Sequence, residues 1–153
     1  MEVEVKYKDK GKGVMYPESS GTITALVVDD EKTVRMIHQK LLNRIGVKNH
    51  AVENGKEAVD IHNTGKRFDL ILMDWDMPVM DGVEATKKLR SMGIRNVIIG
   101  VSSCPTMKIQ EFMDAGLDDF YMKPFNIRML NDIVNKMQSC RSNWATDAIQ
   151  ASK

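Results

Sequence analysis

Four short runs of this chain each deliver a chemically useful side chain at their carboxyl end. ITALVV is followed by Asp29 and Asp30, FDLILM by Asp74, NVIIGV by Ser102 and Ser103, and DDFYM by Lys123 and Pro124. Three carboxylates gathered in one crevice repel one another unless a cation sits among them. Oxygen-only ligands with open positions for water suit Mg2+ better than zinc or copper. The charges of Asp29, Asp30 and Asp74 are then balanced by Mg2+ and Lys123. A pocket neutralised in this way can admit a phosphoryl group, held by the metal, Lys123 and the Ser102 hydroxyl. Asp74, on the middle run of the set, is the natural nucleophile and would form an aspartyl phosphate. Asp29 and Asp30 are better placed to hold the metal.

Taken singly, these residues have plainer explanations. An Asp at the end of a strand is more often a helix N-cap, and Lys-Pro is usually a turn. Their joint chemistry therefore depends on the elements that carry them. ITALVVDD, FDLILMD and NVIIGVSS are short, apolar and rich in β-branched residues, as strands buried on both faces are; KNHAVEN (48–54) and DDFYMK (118–123) are weaker versions. Helical periods lie between them. Val34, Ile37, Leu41 and Ile45 recur at helix spacing before Gly46. Ala58, Val59 and Ile61 lie within 56–63, ahead of Gly65; helices are also predicted over 83–92, 106–115 and 127–137, the last with Asn126 as N-cap. Five strands alternating with five helices predict an α/β, doubly wound parallel sheet covered on both faces. In such sheets ligands bind beyond the carboxyl ends of the strands, at the topological switch point, which is where the acids, the hydroxyl and Lys123 would meet.

Composition narrows the function. With 22 Lys and Arg against 21 Asp and Glu, bulk charge gives no reason to expect nucleic-acid or membrane binding. Two cysteines are too few for a disulfide framework or a four-thiolate zinc site. MEVEVKYKDK lacks the apolar centre of a signal peptide, and no run approaches membrane-spanning length, so a cytosolic or nuclear protein is expected. Residues 1–21 read as a mobile charged arm, 22–139 as the globular domain, and 140–153 as a tail too short for an output domain.

LVVDDE, LILMDWDMPVMDG, IIGVSS and YMKPF, in this order and spacing, resemble the receiver domain of two-component response regulators, over about 23–138. The resemblance implies a flavodoxin-like (βα)5 fold with strand order 2-1-3-4-5. It implies that Asp74 is the phospho-acceptor, that Asp29 and Asp30 hold Mg2+, and that the backbone carbonyl of Asp76 is a further ligand. Ser102 matches the hydroxyl that turns toward the phosphoryl group, Lys123 its ion-pair partner, and Lys123–Pro124 a cis peptide. EATKKLRSMG and VIIGVSS are most similar to plant receivers, above all the stand-alone type-C regulators. That likeness implies a phosphohistidine donor on a histidine-containing phosphotransfer protein in a cytokinin-type relay. It also implies a monomer that promotes its own phosphorylation and dephosphorylation and acts through partners or as a phosphoryl sink.

Some positions depart from the family pattern. Ser102 stands where threonine is commoner and lacks the methyl that stiffens χ1. Phe120 holds the place of the switch aromatic, often tyrosine, without a hydroxyl. Asp76 adds a carboxylate beside the acceptor, either orienting water or repelling the product. Trp75 is expected to cover the site in part, and Met77 and Met80 to pack. His38 and His62 read as helix-surface residues, and Cys104 as a buried inert thiol. Two other functions compete. Asp74-Trp75-Asp76 matches the DxD nucleophile of haloacid-dehalogenase-type phosphatases, but there the nucleophile follows the first strand, whereas here the acidic pair comes first. A non-catalytic receiver-like binding module would suit a chain missing an acid or the lysine, and this chain has them all.

Overall fold

The computed structural model describes residues 23–103 and 108–139. The expected arm, the tail and Cys104 lie outside these residues. The described elements alternate strictly: β1 (Thr24–Val28), α1 (Lys32–Arg44), β2 (Lys48–Val52), α2 (Gly55–Asn63), β3 (Leu70–Met73), α3 (Gly82–Ser91), β4 (Val97–Ser102), α4 (Ile109–Asp114), β5 (Asp119–Met122) and α5 (Ile127–Ser139). All strand pairs are parallel, in the order β2-β1-β3-β4-β5.

Each apolar strand run serves both faces of the sheet, because successive side chains point to opposite sides. Ala25, Val27, Leu70, Leu72, Ile99 and Val101 pack under α1 and α5 against Leu42, Leu130, Ile133 and Met137. Leu26, Val28, Ile71, Met73 and Ile98 pack on the other face against Ala58, Val59, Val83, Leu89 and Phe112. The central strands β1, β3 and β4 are buried almost throughout, while the edge strands β2 and β5 are half-covered, which is why their sequences looked weaker. Gly46 and Gly116 end their helices at φ 78° and 125°, a region that costs glycine nothing. Asn126 caps α5, its side chain accepting the Met129 N–H at 2.9 Å. Among the described residues no helix is long and apolar enough to cross a membrane.

Two histidines correct the reading of the helix faces. His38 is 4% exposed and His62 1% exposed, so neither lies on a helix surface. His38 meets the edge of Phe125 with ring centroids 5.4 Å apart, and burial lowers its pKa to about 4. His62 bonds the Ala58 carbonyl through Nδ1 at 2.8 Å and packs on Phe68. A neutral imidazole is flat and largely apolar, so it fills a core position that an apolar-only periodicity overlooks. On α1 the buried stripe accordingly runs through His38 and Leu42, leaving Ile37 on the exposed side.

Candidate functional site

β1 and β3 are adjacent, and the residue after each is held by its neighbour's backbone. The Asp29 N–H donates to Val52 O at 3.2 Å, and the Asp74 N–H donates to Val28 O at 3.0 Å. The ladder thus sets both carboxylates side by side where the strand order reverses. The same logic places Ser102 and Lys123, since the Lys123 N–H donates to Ser102 O at 3.1 Å across β4 and β5. The Lys123–Pro124 peptide is cis.

One carboxylate oxygen from each of Asp29, Asp30 and Asp74 lies within 4.8 Å of the others. Asp29 and Asp74 are buried and Asp30 is exposed, so the group opens to water on one side. Oδ1 of Asp29 accepts the Glu31 N–H at 2.9 Å, and Arg35 braces the Asp29 carbonyl at 2.9 Å. The Lys123 ammonium lies 2.8 Å from Asp29 Oδ2 and 3.3 Å from Asp74 Oδ1. Burial, and then the neighbouring Asp29 charge, raise the Asp74 pKa to about 6, although Lys123 and the Trp75 N–H oppose the shift. For Lys123 burial works the other way, but its contacts with the two carboxylates together keep its pKa above the usual lysine value. A carboxyl held out of water beside another acid calls for positive charge. An all-oxygen donor set with an open side fits a hard divalent cation.

Asp30, Asp74, Ser102 and Lys123 line a cleft of about 600 Å³ together with Glu31, Trp75, Asp76, Asp81, Ser103 and Lys108, with Asp29 buried behind them. Ser102 is buried at its floor and Asp76 is exposed on its rim. The loop from Asp74 to Gly82 is pinned at several points. Asp81 caps α3 by accepting the Glu84 N–H at 2.9 Å, the Gly82 N–H donates to Trp75 O at 2.8 Å, and the Gly55 N–H donates to Met80 O at 3.0 Å. Met77 is buried and Trp75 is half-buried over the cleft. Phe120 lies away from the cleft lining, its ring 6.2 Å from Phe112. Three lining residues were not singled out in the sequence: Glu31, Asp81 and Lys108. Lys108 in particular lies six positions past Ser102 with no periodicity to point to it, and its ammonium sits 4.8 Å from the centre of the Trp75 ring. A cleft built this way can hold a cation against three acids and present one buried carboxylate to an electrophile.

Comparison with known proteins agrees with this geometry. Residues 25–135 match the model of the response regulator receiver domain. The chain is 54% identical over 116 residues to two-component response regulator 24 of Arabidopsis thaliana, covering 75% of this chain and 84% of the relative. It is 43% identical over 105 residues to the Arabidopsis two-component response regulator ARR22, covering 67% of this chain and 74% of the relative. Among solved structures it is similar to the receiver domain of the Pseudomonas aeruginosa sensor histidine kinase PA1611, determined with a magnesium ion coordinated in the active-site cleft. That likeness has a TM-score of 0.70 at 27% identity and covers 78% of this chain and 99% of the other. By sequence, by fold and by the match over most of its length, the chain belongs to the response regulator receiver domain family.

Proposed function

We propose that this receiver takes a phosphoryl group onto Asp74 from a phosphohistidine of a histidine-containing phosphotransfer protein, in a cytokinin-type relay. The observation that carries the reading is the meeting, at one end of the sheet, of three acids with oxygens within 4.8 Å of one another and a lysine bridging two of them. Among the carboxylates of the cleft lining Asp74 is the buried one, so its side chain is the one shielded from water.

Asp29, Asp30 and Asp74, with the backbone carbonyl of Asp76, would hold Mg2+, which supplies positive charge against the oxygens of the transferred group. An Asp74 oxygen bonds to phosphorus while the P–N bond of the donor breaks, its electron pair returning to the imidazole nitrogen. Lys123 neutralises the product and the Ser102 hydroxyl donates to a phosphoryl oxygen. Water later attacks phosphorus, releasing inorganic phosphate and restoring the carboxylate. Phe120 is the aromatic that would respond to the change at Ser102. Plant relatives of which a receiver-sized match fills most of the length favour action through partners, or by draining phosphoryl groups, in the cytosol or nucleus.

A time course with a ³²P-labelled phosphotransfer protein and Mg2+, alongside Asp74→Asn and a metal-free control, tests the reading. Label that moves to the wild type and stays indicates a signalling receiver, and label that appears chiefly as inorganic phosphate indicates a sink. Label retained by the donor with wild type and variant alike overturns the proposal.

A further inference from the structure

The cleft holds a second cation that the acceptor chemistry leaves unused. Lys108 is exposed, lines the same cleft as Asp74, Ser102 and Lys123, and rests over the face of Trp75. Asp30, Glu31, Asp74, Asp76 and Asp81 line this cleft too, yet among the described residues Lys108 forms no ion pair. Its platform is fixed: Trp75 is half-buried, with its ring 6.5 Å from that of Phe112. Lys123, by contrast, is already committed to Asp29 and Asp74.

From this juxtaposition we infer that Lys108 is a second phosphoryl-binding cation, carried on Trp75 until a phosphorylated donor arrives, and that it governs capture of that donor. The inference rests on the phosphotransfer reading above. An exposed ammonium resting on a ring face is weakly and loosely held. A phosphoryl oxygen offers a charge-assisted hydrogen bond, which is stronger and directional. The long, rotatable lysine stem can exchange one for the other without moving the backbone. The need is electrostatic. A phosphoryl dianion entering a cleft lined by five carboxylates is repelled during approach, and one cation at the mouth offsets that repulsion. Lys108 therefore acts on encounter and binding, while the bond-making step stays with Asp74 and Lys123.

The test compares wild type, Lys108→Met and Lys108→Arg for the rate of label uptake from ³²P-phosphorylated phosphotransfer protein across donor concentrations, at low and high salt. The expected result for Lys108→Met is a half-saturating donor concentration raised by about three- to tenfold at low salt, a maximal rate within twofold of wild type, and a flatter salt dependence. Lys108→Arg keeps the charge and should restore both. A second readout uses Trp75 emission on adding beryllofluoride and Mg2+, with Trp144→Phe removing the other tryptophan. The emission should change in wild type and Lys108→Arg as the cation leaves the ring, and less in Lys108→Met. Equal donor dependence in wild type and Lys108→Met overturns the inference. Equal impairment of Met and Arg variants also overturns it, showing that Lys108 only packs on Trp75. If the wild type takes no label at all, the phosphotransfer reading fails first and this inference falls with it.

Discussion

Lys123 reaches across 94 positions of sequence to place its ammonium 2.8 Å from Oδ2 of Asp29. It lies 3.3 Å from Asp74, so the lysine leans toward the acid proposed to hold metal rather than the proposed acceptor. A cation entering the acidic group must share Asp29 with this ammonium, and like charges in one cleft oppose each other. Lys123→Met is therefore expected to bind Mg2+ more tightly, by about tenfold, while losing most phosphotransfer to Asp74. Titration of Mg2+ by intrinsic fluorescence checks the first part, and unchanged affinity would contradict the competition.

At the opposite end of the sheet, Asp69 predicts a pH dependence unrelated to the site. It is buried, and its Oδ2 accepts the Thr24 N–H at 2.9 Å and the Thr24 hydroxyl at 3.3 Å. Burial raises its pKa from 3.8 to about 7 despite these bonds. A carboxyl whose folded pKa is raised favours the fold while protonated, so its contribution is complete below pH 3.8 and is lost as pH rises through about 7. Asp69→Asn keeps the hydrogen bonds without the charge. The variant should gain on wild type between pH 4 and 8, by up to about 4 kcal/mol. His38 and His62 are common to both proteins and cancel from the difference. Denaturant melts that run parallel across this range would refute the assignment.

Gly82 is small because the backbone of the proposed acceptor, Asp74, is beside it. A Cβ there would collide with the Asp74 carbonyl oxygen and meet Phe112 at 2.9 Å and the Trp75 Cα at 3.0 Å. Gly82→Ala should cost about 1–3 kcal/mol and displace Asp74, lowering stability and phosphorylation together. Loss of stability with full label uptake would show that the strand end tolerates the shift.

Val79 sits at φ 72° at the tip of the same loop, 72% exposed, with the Met80 N–H donating back to Pro78 O. A β-branched residue is strained in that region by about 1–2 kcal/mol, part of which glycine recovers after its larger unfolded-state entropy. Val79→Gly should therefore raise the melting temperature by about 2–5 °C. A lower melting temperature would mean that the exposed valine side chain stabilises the loop more than its backbone strains it.

Much of this architecture is local and was legible. β1, β3 and β4 announced themselves because strands buried on both faces need unbroken apolar runs, and the acids and Ser102 stood at their ends, with Lys123 at the end of β5, because parallel strands all point the same way. Gly46 and Gly65 marked helix ends for an equally local reason, since each adopts positive φ.

Other features depend on partners that no spacing brings together. His38 and His62 are core residues because Phe125 and Phe68 close over them. Arg90 ties the end of α3 to Gly116 O at 2.9 Å and to Asp118 at 3.0 Å, 26 and 28 positions away. Lys108 meets Trp75 only because β3 and β4 lie side by side. Residue types and period settle which segments become strands and helices, and hence which chemistry stands at each strand end. Burial, pKa and the choice of ion-pair partner depend on what else packs within a few ångströms, and that is set by the order in which the strands assemble.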